Sequence, residues 1–219
     1  MSAVAPRWRR VPILAVVLAV PIAVGALDRT PAVRDVVQWL CSYSPSRLVH
    51  GAVWTLPASA LLEAQPARLG ANVLVPTVVF APYLLWVGTG RALRTFFAGH
   101  VVATLAAAAA ILLGVLTGSA VAHRLYTMHD NGVSAGLSAA AGALGVLLWF
   151  SRARPLAALV LGVVLVLFTY RIASESVGAT LADGEHLLAI AVGAAVELRR
   201  RLSAARPPRS IPARPSYAP

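Results

Sequence analysis

Two polar residues stand at the heads of otherwise apolar segments. These are Ser134 in Gly132-Val133-Ser134-Ala135-Gly136 and His186 in His186-Leu187-Leu188-Ala189-Ile190-Ala191-Val192-Gly193. A serine hydroxyl is a weak nucleophile until an imidazole takes its proton, after which the same ring can protonate a leaving amine. Two side chains therefore suffice for hydrolysis, provided that separate elements bring them together at one depth. Serine alone says little, because in a membrane helix its hydroxyl commonly bonds a backbone carbonyl, and Ser138 one turn further on invites the same reading. The pairing with His186 carries the chemistry.

The elements that must position this pair follow from composition. With 58% hydrophobic and 12% charged residues, the 219-residue chain cannot hide its apolar side chains in one soluble core. The fold class expected is all-α, a polytopic membrane protein. Apolar runs long enough to cross about 30 Å of hydrocarbon occur at 11–27, 69–87, 96–120, 132–150, 155–170 and 177–198, giving six spans. All nineteen basic residues are Arg, and thirteen of them (7, 9, 10, 91, 94, 152, 154, 199–201, 206, 209 and 214) fall on one side of this topology. The positive-inside rule makes that side cytoplasmic and puts both termini there, in a multi-pass protein of the plasma membrane. The net charge of +11 thus follows topology and does not point to nucleic acid. The Arg-rich start, apolar middle and Val24-Gly25-Ala26 end of the first segment also have the form of a signal peptide; the length of the run favours a span.

The organisation expected is a cytoplasmic N-terminus at 1–10, a six-helix membrane domain at 11–202 and a disordered cytoplasmic tail at 203–219. The external stretch 28–68, with Trp39 and Trp54 among polar residues, is too long for a plain connection. It reads as short amphipathic helices lying in the outer interface, against the lipid bilayer. Cys41 lies in this stretch as the one cysteine, so no disulfide framework exists.

Counting from the cytoplasmic boundary, Ser134 lies 17 residues from Ser151 and His186 lies 13 from Arg199. At 1.5 Å per residue these are roughly 25 and 20 Å, a gap that helix tilt absorbs. Both side chains then sit in the outer half of the membrane, where an ionisable group is expensive and marks function. The small residues of the fourth span let another backbone approach, and Gly184, Ala189 and Gly193 offer a matching face on the sixth. Asp130, Asp183 and Glu185 receive no triad role, because an adjacent helix position points elsewhere. His100, read as a turn into the third span from its cytoplasmic end, is structural. His50, His123 and His129 show no metal-cage spacing, so neither metal nor cofactor is expected.

Gly132-Val133-Ser134-Ala135, a fifth span, then His186 followed by Ala189 and Gly193, together resemble the rhomboid intramembrane serine proteases over roughly residues 30–198. That family carries Gly-x-Ser-Gly at the outer start of its fourth span and His-x-x-Gly-x-x-x-Gly in its sixth. Ala135 and Ala189 depart from those glycines but stay small. The resemblance implies a six-helix rhomboid-like bundle in which Ser134 attacks a peptide bond of a transmembrane protein substrate and His186 serves as base and acid. Gly132, Ala135, Gly136, Ala189 and Gly193 would support the motif. The family's His-x-x-x-Asn pattern in the second span falls on Arg68-Leu69-Gly70-Ala71-Asn72, making Asn72 a candidate oxyanion donor with the Ser134 backbone N–H. Two other readings stay open: an inactive rhomboid-like protein that binds transmembrane helices as clients, and an unrelated structural or transport protein. The latter should show internal repeats, and the chain shows none. Pro76 and Pro82 hint at a mobile second span through which a substrate helix enters.

Overall fold

The computed structural model describes residues 11–61, 76–130, 133–151, 153–162 and 177–204. Among these residues the chain is all-helical, and its β pairing is the single isolated bridge between Tyr43 and Asp130. The order is α1 (Val11–Asp28), α2 (Arg34–Cys41), α3 (Pro45–Val49), α4 (Thr55–Ser59), a π-helical turn (Pro76–Phe80) running into α5 (Ala81–Val87), α6 (Thr89–Leu116), α7 (Ala120–Tyr126), α8 (Ser134–Trp149) and α9 (Val177–Ala204). Residues 154–162 are helical as well.

Of these, α6 is by itself long and apolar enough to cross a bilayer; Val78–Val87 and Ser134–Trp149 are shorter apolar helices. It begins at Thr89 and ends at Leu116, seven residues earlier and four earlier than the apolar run 96–120. The reason at the start is that Arg91 and Arg94 are accommodated within the helix: Arg91 pairs with Glu197 of α9, and Arg94 Nε donates to Gly90 O at 2.9 Å. Gly88, with φ at +89°, makes the break from α5 that a residue with a Cβ would resist. At the far end, Ser119 accepts from the Ala122 N–H at 3.3 Å and caps α7.

Centrally placed, α8 is buried from Ala135 to Gly145 and again at Leu147 and Leu148. It packs against α6 on one side and α9 on the other. In a bilayer such contact is driven by close packing, since lipid is as apolar as leucine. The approach is tight: a Cβ at Gly142 would lie 2.0 Å from Ile190 O, and one at Gly193 would lie 1.8 Å from Ala139 O. Gly184 takes no part in this face, being exposed with open space around it, which corrects the expectation that it lines the contact.

Residues 28–61 form short helices. Ser44 caps α3, accepting from the Arg47 N–H at 3.2 Å, with Pro45 in the first turn. Arg47, which is not among the thirteen arginines of the expected cytoplasmic side, closes the C-terminus of α2 by donating to the carbonyls of Gln38, Ser42 and Trp39. Tyr43 and Leu56 dock with Ala108 of α6, backed by Leu48 and Val101. Trp39 and Trp54 lie with ring centroids 5.4 Å apart and both exposed.

Candidate active site

Ser134 is the first residue of α8, and His186 lies in the outer part of α9. The close approach of these two helices brings Ser134 Oγ to 2.7 Å from His186 Nε2. In the tautomer protonated at Nδ1, Nε2 accepts the hydroxyl hydrogen. His186 is buried and Ser134 partly exposed.

The wall behind the pair is a cluster of methyl groups: Ala103 of α6, Ala135 and Ala139 of α8, and Ala189 of α9, all buried. The two alanines at positions where a glycine is customary are therefore packed, with Ala189 at 0% exposure. Glycine is required elsewhere, since a Cβ at Gly136 would meet the Phe96 ring at 2.5 Å. Gly193 holds the α8 backbone against α9 one and a half turns below. Gly132 and Asn72 lie outside the described residues, as does the Asp183 side chain.

Ser134 also opens a helix, where the first N–H groups have no intrahelical acceptor and the dipole favours negative charge. An oxygen anion formed at a carbonyl attacked by Ser134 would lie near those N–H groups.

Around this pair is a ring of polar residues that spacing alone did not assign. Glu185, next to His186 and buried, accepts the hydroxyl of Thr104 on α6, and its carboxyl group also meets the Asp130 side chain. Asp130 is held by its backbone, donating to Tyr43 O at 2.8 Å and accepting from the Tyr43 N–H at 3.3 Å. The segment leading into Ser134 is thereby strapped to the chain between α2 and α3. Burial first, then nearby Glu185 and Asp130, holds the Tyr43 phenol above its ordinary range, and its buried hydroxyl has no hydrogen-bond partner among the described residues. Burial, with Asp28 second, likewise raises the Cys41 thiol. The signal for Glu185 was present in the sequence: an acidic residue at membrane depth must find partners.

His100 lies farther into its helix than the one turn expected. The early start of α6 puts it three turns in, one turn below Thr104, and Gly99 beside it packs on Ala139. It bonds α4, with Nε2 2.9 Å from Leu56 O and 3.0 Å from Ser59 Oγ.

At the opposite end Glu197, fully buried, receives Arg91 of α6 and lies 3.5 Å from Arg201 Nε, whose guanidinium also stands 5.4 Å above the Phe150 ring. This node clamps α6 to α9 far from Ser134.

Residues 31–204 match a protein family described as "Rhomboid-like protein". No curated protein and no solved structure matches the chain.

Proposed function

The chain belongs to the rhomboid-like family, and from that premise we propose that this membrane protein is an intramembrane serine protease working through a Ser134–His186 dyad. The observation that carries the reading is the 2.7 Å contact between the hydroxyl and Nε2 across two separate helices. His186 takes the Ser134 proton as Oγ bonds to the scissile carbonyl carbon. The tetrahedral oxyanion is met by N–H groups at the start of α8, with Asn72 as the side-chain donor that the resemblance assigns. The C–N bond then breaks, His186 protonates the leaving amine, and an ester remains on Ser134. Water, deprotonated by His186, hydrolyses that ester and restores the hydroxyl.

The frame for this chemistry is six spans with both termini cytoplasmic in the plasma membrane, domain limits at 11–202, and the 28–68 stretch in the outer interface. The exposed Trp39 and Trp54 support that interfacial location. Substrates are single transmembrane helices that enter from the bilayer.

The test is labelling of the purified protein by a fluorophosphonate, which reacts with an activated serine. Labelling of the parent, lost in both Ser134→Ala and His186→Ala, supports the protease. A folded parent that takes no label overturns it in favour of a rhomboid-like protein that binds transmembrane helices without cutting them.

A further inference from the structure

Glu185 is the buried ionisable group closest to the dyad in sequence, and the hydrolytic cycle above makes no use of it. Successive residues of a helix project about 100° apart, so Glu185 and His186 face different neighbours from one turn of α9. His186 meets Ser134 of α8, while Glu185 meets Thr104 of α6 and Asp130 of the segment that leads into α8. Thr104 is 1% exposed and Glu185 8%, so little water competes for this bond. A carboxylate at such depth is costly unless hydrogen-bonded, and an apolar residue would pack there with less penalty. Ala103, the neighbour of Thr104, lies in the methyl cluster behind the dyad. Among the described residues, the other titratable groups at this corner are Tyr43, before α3, and His100 below on α6.

We propose that Glu185 is a positioning residue for His186: by accepting the Thr104 hydroxyl it pins the outer turn of α9 to α6, and by a hydrogen held between its carboxyl and that of Asp130 it pins that turn to the approach to Ser134, so that the imidazole is held against the nucleophile. This rests on the dyad reading. Without the pin, the turn rotates or slides on α8 and the hydroxyl-to-ring distance opens; misplacement by about 1 Å costs on the order of a hundredfold in rate.

The experiment compares Thr104→Val, which keeps the shape and removes the O–H, with Thr104→Ser, which restores it. A second pair is Glu185→Leu against Glu185→Gln, whose amide oxygen still accepts and whose N–H groups can donate to Asp130. Fluorophosphonate labelling at Ser134 is expected to slow by roughly tenfold to a hundredfold in the Val and Leu variants, and to stay near the parental rate in the Ser and Gln variants. Parental labelling in Thr104→Val, or equal losses within either pair, overturns the proposal. Carbethoxylation of His186 by diethylpyrocarbonate, followed by mass spectrometry, reads the same geometry without any turnover. It should be faster in Thr104→Val and Glu185→Leu than in the parent and the rescuing variants, and equal rates overturn the pin. If the parent itself takes no fluorophosphonate while these carbethoxylation differences appear, the hydrolase reading fails and the positioning role stands.

Discussion

Among the described residues the bundle holds two serine–histidine contacts, Ser134–His186 at 2.7 Å and Ser59–His100 at 3.0 Å. Distance hardly separates them; the destination of each hydrogen does. Ser59 Oγ donates to Leu56 O at 3.0 Å, and His100 Nε2 lies 2.9 Å from the same carbonyl. A carbonyl only accepts, so Nε2 carries a hydrogen and donates, and it cannot also be the base for Ser59. That pair is an anchor that fastens α4 to α6. Ser134 has no such carbonyl among the described residues: it starts its helix, and its hydroxyl partner is the imidazole. A Ser–His distance is thus weak support for a nucleophile until the backbone acceptors around it have been counted.

The sharpest way to break this comparison is to delete each pair. His186→Ala should lower the rate of fluorophosphonate labelling by about 10⁶-fold, the scale of losing the base from a serine hydrolase. His100→Leu and Ser59→Ala should label at close to the parental rate. Label recovered on Ser59 by peptide mapping would reverse the assignment of the two pairs.

Next in size is the contact that brings the first pair together. Gly193→Val places its side chain on Ala139 O and cannot keep the present α8–α9 spacing. Overpacking of this kind costs about 1–3 kcal/mol, and the separation should abolish labelling even in protein that still folds. Gly184→Val, on the exposed side of the same helix, should leave both stability and labelling unchanged. Loss of labelling in Gly184→Val would show that the helices meet on another face.

The anchor pair should be read in stability. Removing the Ser59 hydroxyl deletes bonds to Leu56 O and His100 at a site 1% exposed, worth about 0.5–1.5 kcal/mol. Unfolding of Ser59→Ala in detergent is the measurement, and a variant as stable as the parent would mean that the bonds only replace equivalent ones.

Much of this arrangement was legible from residue pattern. Composition and apolar runs indicated helices in a bilayer, and small residues at Ala139, Gly142, Ala189 and Gly193 indicated a close helix pair, because a backbone can approach only where side chains are short. Most of what failed rested on charge. Trimming the third span at Phe96 treated Arg91 and Arg94 as loop residues, although Arg91 is paired with Glu197 within the bundle; that shortened helix misplaced His100 by two turns. Arg47 received no reading from the sequence, because its service to the end of α2 depends on a chain reversal that no local pattern announces. Glu185 was set aside because it does not share the His186 direction, which is correct, yet that same divergence lets one turn of α9 reach two neighbours. Gly184 fits the small-residue spacing and misses the face, since spacing gives a stripe and not the angle at which helices cross.

The smallest effect expected on the site itself comes from the π-helical turn at Pro76–Phe80 and from Pro82 in the first turn of α5. Proline withholds an N–H and wide turns interrupt the regular ladder, so this is where the helix can bend without breaking a full set of bonds. If bending admits a substrate helix, Pro76→Leu and Pro82→Leu should slow cleavage of a transmembrane substrate several-fold and leave fluorophosphonate labelling unaltered, because a small reagent needs no open gate. The contrast with His186→Ala, which removes both activities, separates entry from chemistry. Unchanged substrate turnover in the two leucine variants would remove the gate, and a parallel fall in labelling would place the bend within the architecture of the dyad, since only access to the site distinguishes the two probes.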